Sequence, residues 1–360
     1  MRIALITASI CFLAGCAGDI KKNEAPRLVV SPVAIQAPPV VATPVAIPAV
    51  VSPPLKPEQK IELFISSTAK KFNIPESEIR ATLAQAQYRQ SIIDAITRPA
   101  EAKPWKSYRP IFITDARING GRKFMAEHRA ELQRVQDRTG VPAEIIVAII
   151  GVETSYGGNM GSFKVLDALY TLGFYYPKRE AFFSSELAHL FELSKVEQFD
   201  IQQLKGSYAG AMGWGQFMPS SYLNYAKDGN GDGRRNLFNN LDDVFSSIAN
   251  YFIGHGWRKG EPVFARASMG SNALPFAPPT MEAKFSLAEL AEKGYRPTST
   301  TPNLPATLLT LDGSEGTEHW IGFNNFYVIT RYNRSPLYAM SVYQLAQAIA
   351  APSSAIPAAK

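Results

Sequence analysis

The chain has 360 residues, with 37 Lys and Arg against 31 Asp and Glu and a formal net charge of +6. That mild excess contains no Lys/Arg block of the kind that tracks a phosphate backbone, which argues against a nucleic-acid binder and suits an anionic polymer as partner. Only Cys11 and Cys16 occur, and Cys11 falls in a segment expected to be removed, so no intramolecular disulfide is available and stability must come from the core.

Met1 and Arg2 precede an uncharged run from Ile3 to Ala14. The run is too short to span a bilayer and ends in small residues, so residues 1–16 read as an export signal. Leu13-Ala14-Gly15-Cys16 resembles a bacterial lipoprotein box, which implies cleavage before Cys16 and acylation of that cysteine, with the body soluble but tethered. By resemblance to the sorting rule of Gram-negative lipoproteins, Ala17 in place of Asp directs the anchor to the outer membrane, with the protein facing the periplasm. The alternative is an ordinary secreted protein with an incidental cysteine. Residues 17–57 are rich in Pro, Ala and Val, and proline interrupts every few positions, so neither a helix nor a central strand can form there. This segment reads as a semi-extended tether.

Residues 58–350 are long enough for one large core or two lobes. The segment from Pro57 to Phe72 places Ile61, Phe64, Ile65 and Ala69 on one helical face, and Gly121 to Arg138 places Phe124, His128, Leu132 and Val135 similarly. Pro142 after Gly140-Val141 starts a further helix, expected to run to about Thr154 and to be ended by Gly157-Gly158. Being apolar almost all round, that helix belongs in the centre of the domain. Glu153 sits in its last turn. Desolvation and the negative end of the helix dipole both favour the protonated carboxyl, making Glu153 a candidate proton donor. The bland alternative is a Glu that pairs with a nearby Arg and caps the core.

From Ser207 to Pro219, glycines at short intervals surround polar and aromatic groups. Glycine permits close approach of a ligand to the backbone; Ser207 and Gln216 offer hydrogen bonds, and Trp214 and Phe217 offer flat faces, a combination suited to a sugar. Asp228-Gly229-Asn230-Gly231-Asp232-Gly233 matches the first half of a calcium loop. The twelfth position departs from the pattern, with Asn239 where a bidentate Glu is expected; a longer loop, 228–242, would close on Asp242. Asp242 and Asp243 open a helix carrying Val244, Phe245, Ile248, Ala249 and Phe252. A Pro-rich connector from Pro275 to about Pro305 follows, then strand-like runs at Thr307 to Leu311 and Phe326 to Arg331, a helix from about Ala339 to Ile349, and a loose tail over residues 351–360.

Gly151-Val152-Glu153-Thr154, Tyr175-Tyr176-Pro177-Lys178-Arg179, Gly210-Ala211-Met212-Gly213, Gln216-Phe217-Met218-Pro219-Ser220-Ser221 and Phe326-Tyr327-Val328-Ile329-Thr330-Arg331-Tyr332-Asn333 together resemble the B-type, family 3 lytic murein transglycosylases. Arg98-Pro99-Ala100-Glu101-Ala102-Lys103-Pro104-Trp105 adds a further match, and the likeness spans nearly all of the body. The resemblance implies a mainly α fold with small β elements, a lysozyme-like catalytic core flanked by helical and mixed α/β lobes. It implies cleavage of peptidoglycan between N-acetylmuramic acid (MurNAc) and N-acetylglucosamine (GlcNAc), leaving 1,6-anhydro-MurNAc ends, with Glu153 as sole acid and base and no catalytic cofactor. A glycosidase normally needs two carboxylates; none appears beside Glu153 in the first five of these motifs, though Asp167 or Glu180 could approach in the fold.

Carried over residue by residue, the resemblance makes Ser207, Gln216 and Phe217 sugar-site residues, with Tyr108, Tyr251, Tyr332, Asn333 and Tyr338 lining the groove and Lys178 and Arg179 meeting peptide or lactyl carboxylates. It also implies a structural calcium ion held by Asp228, Asn230, Asp232, the Arg234 carbonyl and Asp242. The expected partners are peptidoglycan glycan strands and the membrane, the latter through the lipid anchor; contact with cell-wall synthesis complexes is left open, and a monomer is expected. The rival readings are a hydrolytic muramidase, with water as nucleophile, and a non-catalytic peptidoglycan-binding lipoprotein.

Overall fold

A computed structural model of the protein describes residues 55–97 and 103–352. The expected export signal with Cys16, the tether up to residue 54, residues 98–102 of the Arg98 to Trp105 motif and the tail from 353 lie outside the described residues. The N-terminal part is helical: α1 (Pro57–Phe72), α2 (Glu76–Leu83), α3 (Gln90–Ile96), α4 (Trp105–Phe112), α5 (Asp115–Glu127), α6 (Arg129–Thr139) and α7 (Ala143–Thr154). In α1 proline occupies the first turn and Asn73 closes the end in the left-handed region, with Phe64 and Ile65 buried as the periodicity predicts.

The single helix expected from Gly121 to Arg138 is in fact two. The chain leaves helical geometry at His128, φ −113° and ψ 27°, so α5 and α6 pack separately, and Gly140 at φ 72° stops α6. Both helices still bury the expected side chains Phe124, Leu132 and Val135. The periodicity is preserved across a one-residue break, which is why the pattern alone reads as continuous.

The middle of the chain holds β1 (Phe163–Lys164), α8 (Val165–Tyr175), a 3-10 turn (Pro177–Arg179), α9 (Glu180–Glu197), β2 (Lys205–Gly206), α10 (Pro219–Tyr225) and α11 (Leu241–Gly254). β1 and β2 pair antiparallel, Phe163 opposite Gly206, which brings the loop after β2 beside the segment after α7. The C-terminal part holds β3 (Phe264–Met269), α12 (Leu287–Glu292), β4 (Tyr295–Pro297), β5 (Thr307–Gly313), β6 (Gly316–Gly322), α13 (Asn324–Tyr332) and α14 (Pro336–Ala350). The four longer strands form an antiparallel sheet in the order β4-β3-β6-β5.

Phe326 to Arg331, read as a strand, lies within α13. Its β-branched and aromatic residues favour a strand locally, but Phe326, Val328, Ile329 and Thr330 are buried within the helix, and tertiary packing decides. One apolar core runs through the helices, with α7 buried from Ile145 to Thr154. A second, smaller core of Ala265, Leu290, Tyr295, Leu308, Ile321 and Phe323 lies between the sheet and α12. The architecture is therefore mainly α with a small mixed lobe.

Candidate active site

Glu153 lies in the last turn of α7 and is 6% exposed. α7 ends at Thr154, as expected, and the chain turns before the glycine pair is complete: Ser155, Tyr156 and Gly157 have φ of 50°, 60° and 81°. Two non-glycine residues thus take the left-handed conformation, and the surroundings hold them there. Ser155 and Tyr156 donate backbone N–H groups to Gly151 and Ile150 carbonyls at 3.2 and 3.4 Å. Arg117 Nη2 donates to Ser155 Oγ at 3.0 Å, and the Tyr156 hydroxyl donates to the Arg117 carbonyl at 2.7 Å. Burial pushes the Arg117 guanidinium below its usual value. Gly157 is required as glycine, since a Cβ there would lie 2.4 Å from the Trp214 ring.

Tyr338 completes the immediate setting of the carboxyl. Its hydroxyl donates to Glu153 Oε1 at 2.6 Å, across 185 residues of sequence. The tyrosine stands in the first turn of α14, where Ser335 caps the helix by accepting from Tyr338 N at 3.3 Å. Asn333 Oδ1 in turn accepts from Ser335 N at 3.0 Å. The buried Asn333 therefore helps set the cap from which Tyr338 reaches Glu153.

The loop after β2 folds back through bridges between Gly206 and Met212 and between Met212 and Phe217. Ser207 Oγ accepts from the N–H groups of Ala209 and Ala211 at 3.3 and 3.1 Å, which fixes the turn. Gln216, at φ 51°, donates through Nε2 to the carbonyls of Met160 and Gly213 at 3.1 and 3.0 Å. Thr154 Oγ1, next to Glu153, lies 3.1 Å from the Trp214 carbonyl, and the Tyr332 hydroxyl donates to the Gly215 carbonyl at 2.6 Å. Ser207, Gln216 and Tyr332 are thereby tied to the α7 terminus in one framework. Phe217 does not present the open face expected of it. Phe217 is 2% exposed and packs on Tyr251 and Tyr332, because the bridge to Met212 draws it inward. Trp214 stacks on Phe124 and donates its indole N–H to the Phe238 carbonyl at 2.9 Å. Tyr251 is buried, and its hydroxyl donates to the Arg331 carbonyl at 2.7 Å.

Tyr108 is buried in α4 between Trp105 and Phe112. Lys178 is exposed on the 3-10 turn, and the Arg179 guanidinium lies 4.5 and 4.8 Å from the Phe182 and Phe183 rings. The two further carboxylates are engaged with other groups: Asp167 accepts from Gln87 N at 2.9 Å and Arg89 Nε at 3.2 Å, and Glu180 pairs with Lys60 at 2.6 Å. Sequence reasoning missed Arg117, Thr154, Tyr156 and Ser335. Thr154 and Tyr156 follow Glu153 in the chain at one and three positions and were open to suspicion; Arg117 and Ser335 carry no signal in spacing or composition.

The loop from Asp228 is built around its first carboxylate, which accepts N–H groups of Gly231, Asp232 and Gly233 at 2.7 to 3.2 Å. The bond from Gly233, with those from Gly231 and Asp232, holds the Asp228 carboxyl below the usual range. Asn230 Nδ2 donates to Asp232 Oδ2 at 3.1 Å. This half suits a hard cation. The expected closing residue does not join it: Asp242 Oδ1 accepts from Arg134 Nη2 at 3.1 Å, and buried Asp243 instead ties the loop to α11 by accepting from Gly229 N and Asn236 N at 2.7 and 2.6 Å. Among the described residues no group of three or more His, Cys, Asp or Glu is gathered closely enough to hold a metal ion.

A buried acid at a helix terminus, bonded by a tyrosine hydroxyl and next in the chain to a residue tied to a folded polar loop, is suited to general acid chemistry of the kind that cleaves glycans, and comparison with known proteins narrows that class. The family model described as the transglycosylase SLT domain matches residues 56–347. The membrane-bound lytic murein transglycosylase B of Escherichia coli K12 is 43% identical over 298 residues, 80% of this chain and 81% of that protein. The X-ray structure of catenated lytic transglycosylase SltB1 from Pseudomonas aeruginosa superposes with a TM-score of 0.76 at 45% identity, covering 81% of this chain and 97% of the other. The E. coli lytic transglycosylase Slt35, solved in complex with calcium, does so with a TM-score of 0.74 at 42% identity, covering 81% and 92%. The chain belongs to the transglycosylase SLT family and is a peptidoglycan lytic transglycosylase of lysozyme-like fold.

Proposed function

We propose that Glu153 alone serves as acid and base in cleaving the bond between MurNAc and GlcNAc. The protonated carboxyl gives its proton to the glycosidic oxygen as the bond from that oxygen to muramic C1 breaks. The muramic C6 hydroxyl then bonds to C1 and returns its proton to Glu153, closing the 1,6-anhydro ring. Atoms and protons balance without water, so the acid is regenerated and no second protein carboxylate is needed. Burial and the helix C-terminus favour the protonated form needed first; the Tyr338 hydroxyl, donating to Oε1, favours the carboxylate formed after the first transfer. The observation that carries this reading is the environment of Glu153, taken with the engagement of Asp167 and Glu180 elsewhere.

Ser207, Gln216, Tyr332 and Asn333 brace the wall against which the glycan is read, with Tyr108, Tyr251 and Phe217 behind it and Lys178 and Arg179 toward the substrate's carboxylates. Digestion of purified peptidoglycan in water enriched in oxygen-18 tests the mechanism. Products free of the label are expected; incorporation of one labelled oxygen per cut identifies a hydrolase instead.

The loop at Asp228, Asn230 and Asp232 would hold a structural calcium ion, with the Arg234 carbonyl, once Asp242 turns from Arg134; the proton transfers do not need it. Calcium should then raise the unfolding temperature by mass action, and Asp228→Ala should remove the rise. Failure of millimolar calcium to shift unfolding would contradict this. No helix among the described residues is long and apolar enough to cross a membrane. Acylated Cys16 would supply the anchor, placing a monomer in the periplasm at the outer membrane, within reach of the glycan strands. Labelling with a radioactive fatty acid, lost in Cys16→Ala, tests it.

A further inference from the structure

A cavity of about 820 Å³ lies between α4, α14 and the β5-β6 hairpin. It takes no part in the chemistry above. Tyr338 points from α14 to Glu153, whereas Tyr343, Gln344 and Gln347 line the cavity. At 3.6 residues per turn these three fall roughly 140–240° around the helix from Tyr338 and about 8–14 Å further along it. The cavity is thus on the far side of α14 from the catalytic carboxyl. Its volume is in the range of sites that enclose small ligands, roughly 300–1,000 Å³.

The lining identifies the chemistry. Trp105 is 1% exposed and is among the residues lining the cavity, and its buried indole N–H has no partner among the described residues. Buried donors are normally paired, so this one calls for an acceptor. Arg109 lies one turn further along α4 and donates through Nε to Gln344 Oε1 at 2.6 Å. No carboxylate pairs with it among the described residues, whereas Lys106 meets Asp312 at 3.2 Å and Arg266 meets Glu318 at 2.7 Å. A guanidinium with no carboxylate of its own, one turn along the helix from an unpaired N–H, is suited to a carboxylate. Glu315, exposed at the rim, offers the opposite charge to an ammonium group. A sugar is a poorer fit, because it needs an open aromatic face. The Arg266 guanidinium covers Trp320 at 4.8 Å from its ring centroid.

We propose that this cavity binds a carboxylate-bearing peptide stem of peptidoglycan, through Arg109 and the Trp105 N–H, at a site separate from the glycan groove. The choice of peptide over other carboxylates rests on the peptidoglycan reading of the active site. A stem held here would keep the enzyme on peptide-bearing wall and leave the chemistry at Glu153 unchanged.

The test uses the full chain carrying Glu153→Gln, titrated by calorimetry with a free stem tetrapeptide of alanine, γ-linked glutamate, diaminopimelate and alanine, beside chitotetraose. Saturable peptide binding is expected, weakened at least tenfold by the exposed change Arg109→Gln and several-fold by Trp105→Phe, and lost when the peptide carboxylates are amidated. With Glu153 intact, Arg109→Gln should raise KM on stem-bearing peptidoglycan while leaving kcat, and turnover of stem-free glycan, as they were. Absent peptide binding, equal binding by Arg109→Gln, or competition from chitotetraose would each overturn the proposal. Cleavage that survives Glu153→Gln would overturn the catalytic reading instead, and the peptide titration is independent of that result.

Discussion

Glu153 in the last turn of α7 and Glu186 in the middle of α9 are buried alike, at 6% and 4% exposure, but their carboxyls meet opposite ends of helices. Glu186 faces the N-terminus of α10, where Ser220 N donates to Oε2 at 2.9 Å and Ser220 Oγ donates to Oε1 at 2.6 Å. Burial still raises its carboxyl above the ordinary value, the bonds from Ser220 opposing it. Glu153 is set in a C-terminal turn, where the helix offers carbonyls, and meets the hydroxyl of Tyr338. Burial alone therefore does not mark a reactive acid. What separates the two is the helix end that each meets, N–H donors at the start of α10 for Glu186 and the carbonyl end of α7 for Glu153.

The largest expected effect divides them directly. Glu153→Gln should lower kcat on peptidoglycan by about 10²–10⁴-fold or more, the usual share of a general acid and base, while Glu186→Gln keeps turnover near that of the parent enzyme. Stability should show the reverse order. Glu186→Ala leaves the Ser220 donors without an acceptor and should cost about 1–3 kcal/mol in urea unfolding; Glu153→Gln should cost less. Tyr338→Phe comes next: loss of a hydrogen bond to a charged group should lower kcat by about 10–100-fold. Because that bond favours the carboxylate, its removal should move the alkaline limb of the pH–rate profile to higher pH.

The smallest effect concerns pH and stability. Glu186 has a folded pKa above its ordinary 4.5, so between the two values the folded state holds more protons than the unfolded one. Unfolding free energy should fall as pH rises through that window, and the Glu186→Gln variant should gain relative to the parent over the same interval. A constant difference across acid and neutral pH would break the contrast between the two buried acids.

Much of this site was legible in the sequence. A carboxylate at the end of the apolar run from Ile145 to Val152 has few bland explanations, and the run's lack of a polar face correctly placed α7 in the core. The bond from Tyr338 was not legible as geometry, since it joins residues 185 apart and depends on how α14 docks. The break at His128 escaped because α5 and α6 keep the same apolar spacing across it. Phe326 to Arg331 has strand-forming residues that packing converts to α13, and β3 and β6 depend on a nonlocal pairing. Beside the loop from Asp228, Asp242 and Asp243 are adjacent in sequence, yet only Asp243 turns inward, a distinction that helix phase and not composition decides.

The most direct measurement is mass spectrometry of muropeptides released from purified peptidoglycan by the parent enzyme, Glu153→Gln and Glu186→Gln. Products about one water lighter than those of a muramidase are expected from the parent and from Glu186→Gln, and none from Glu153→Gln. Full-mass reducing ends, or anhydro products still released by Glu153→Gln, would contradict this reading of Glu153.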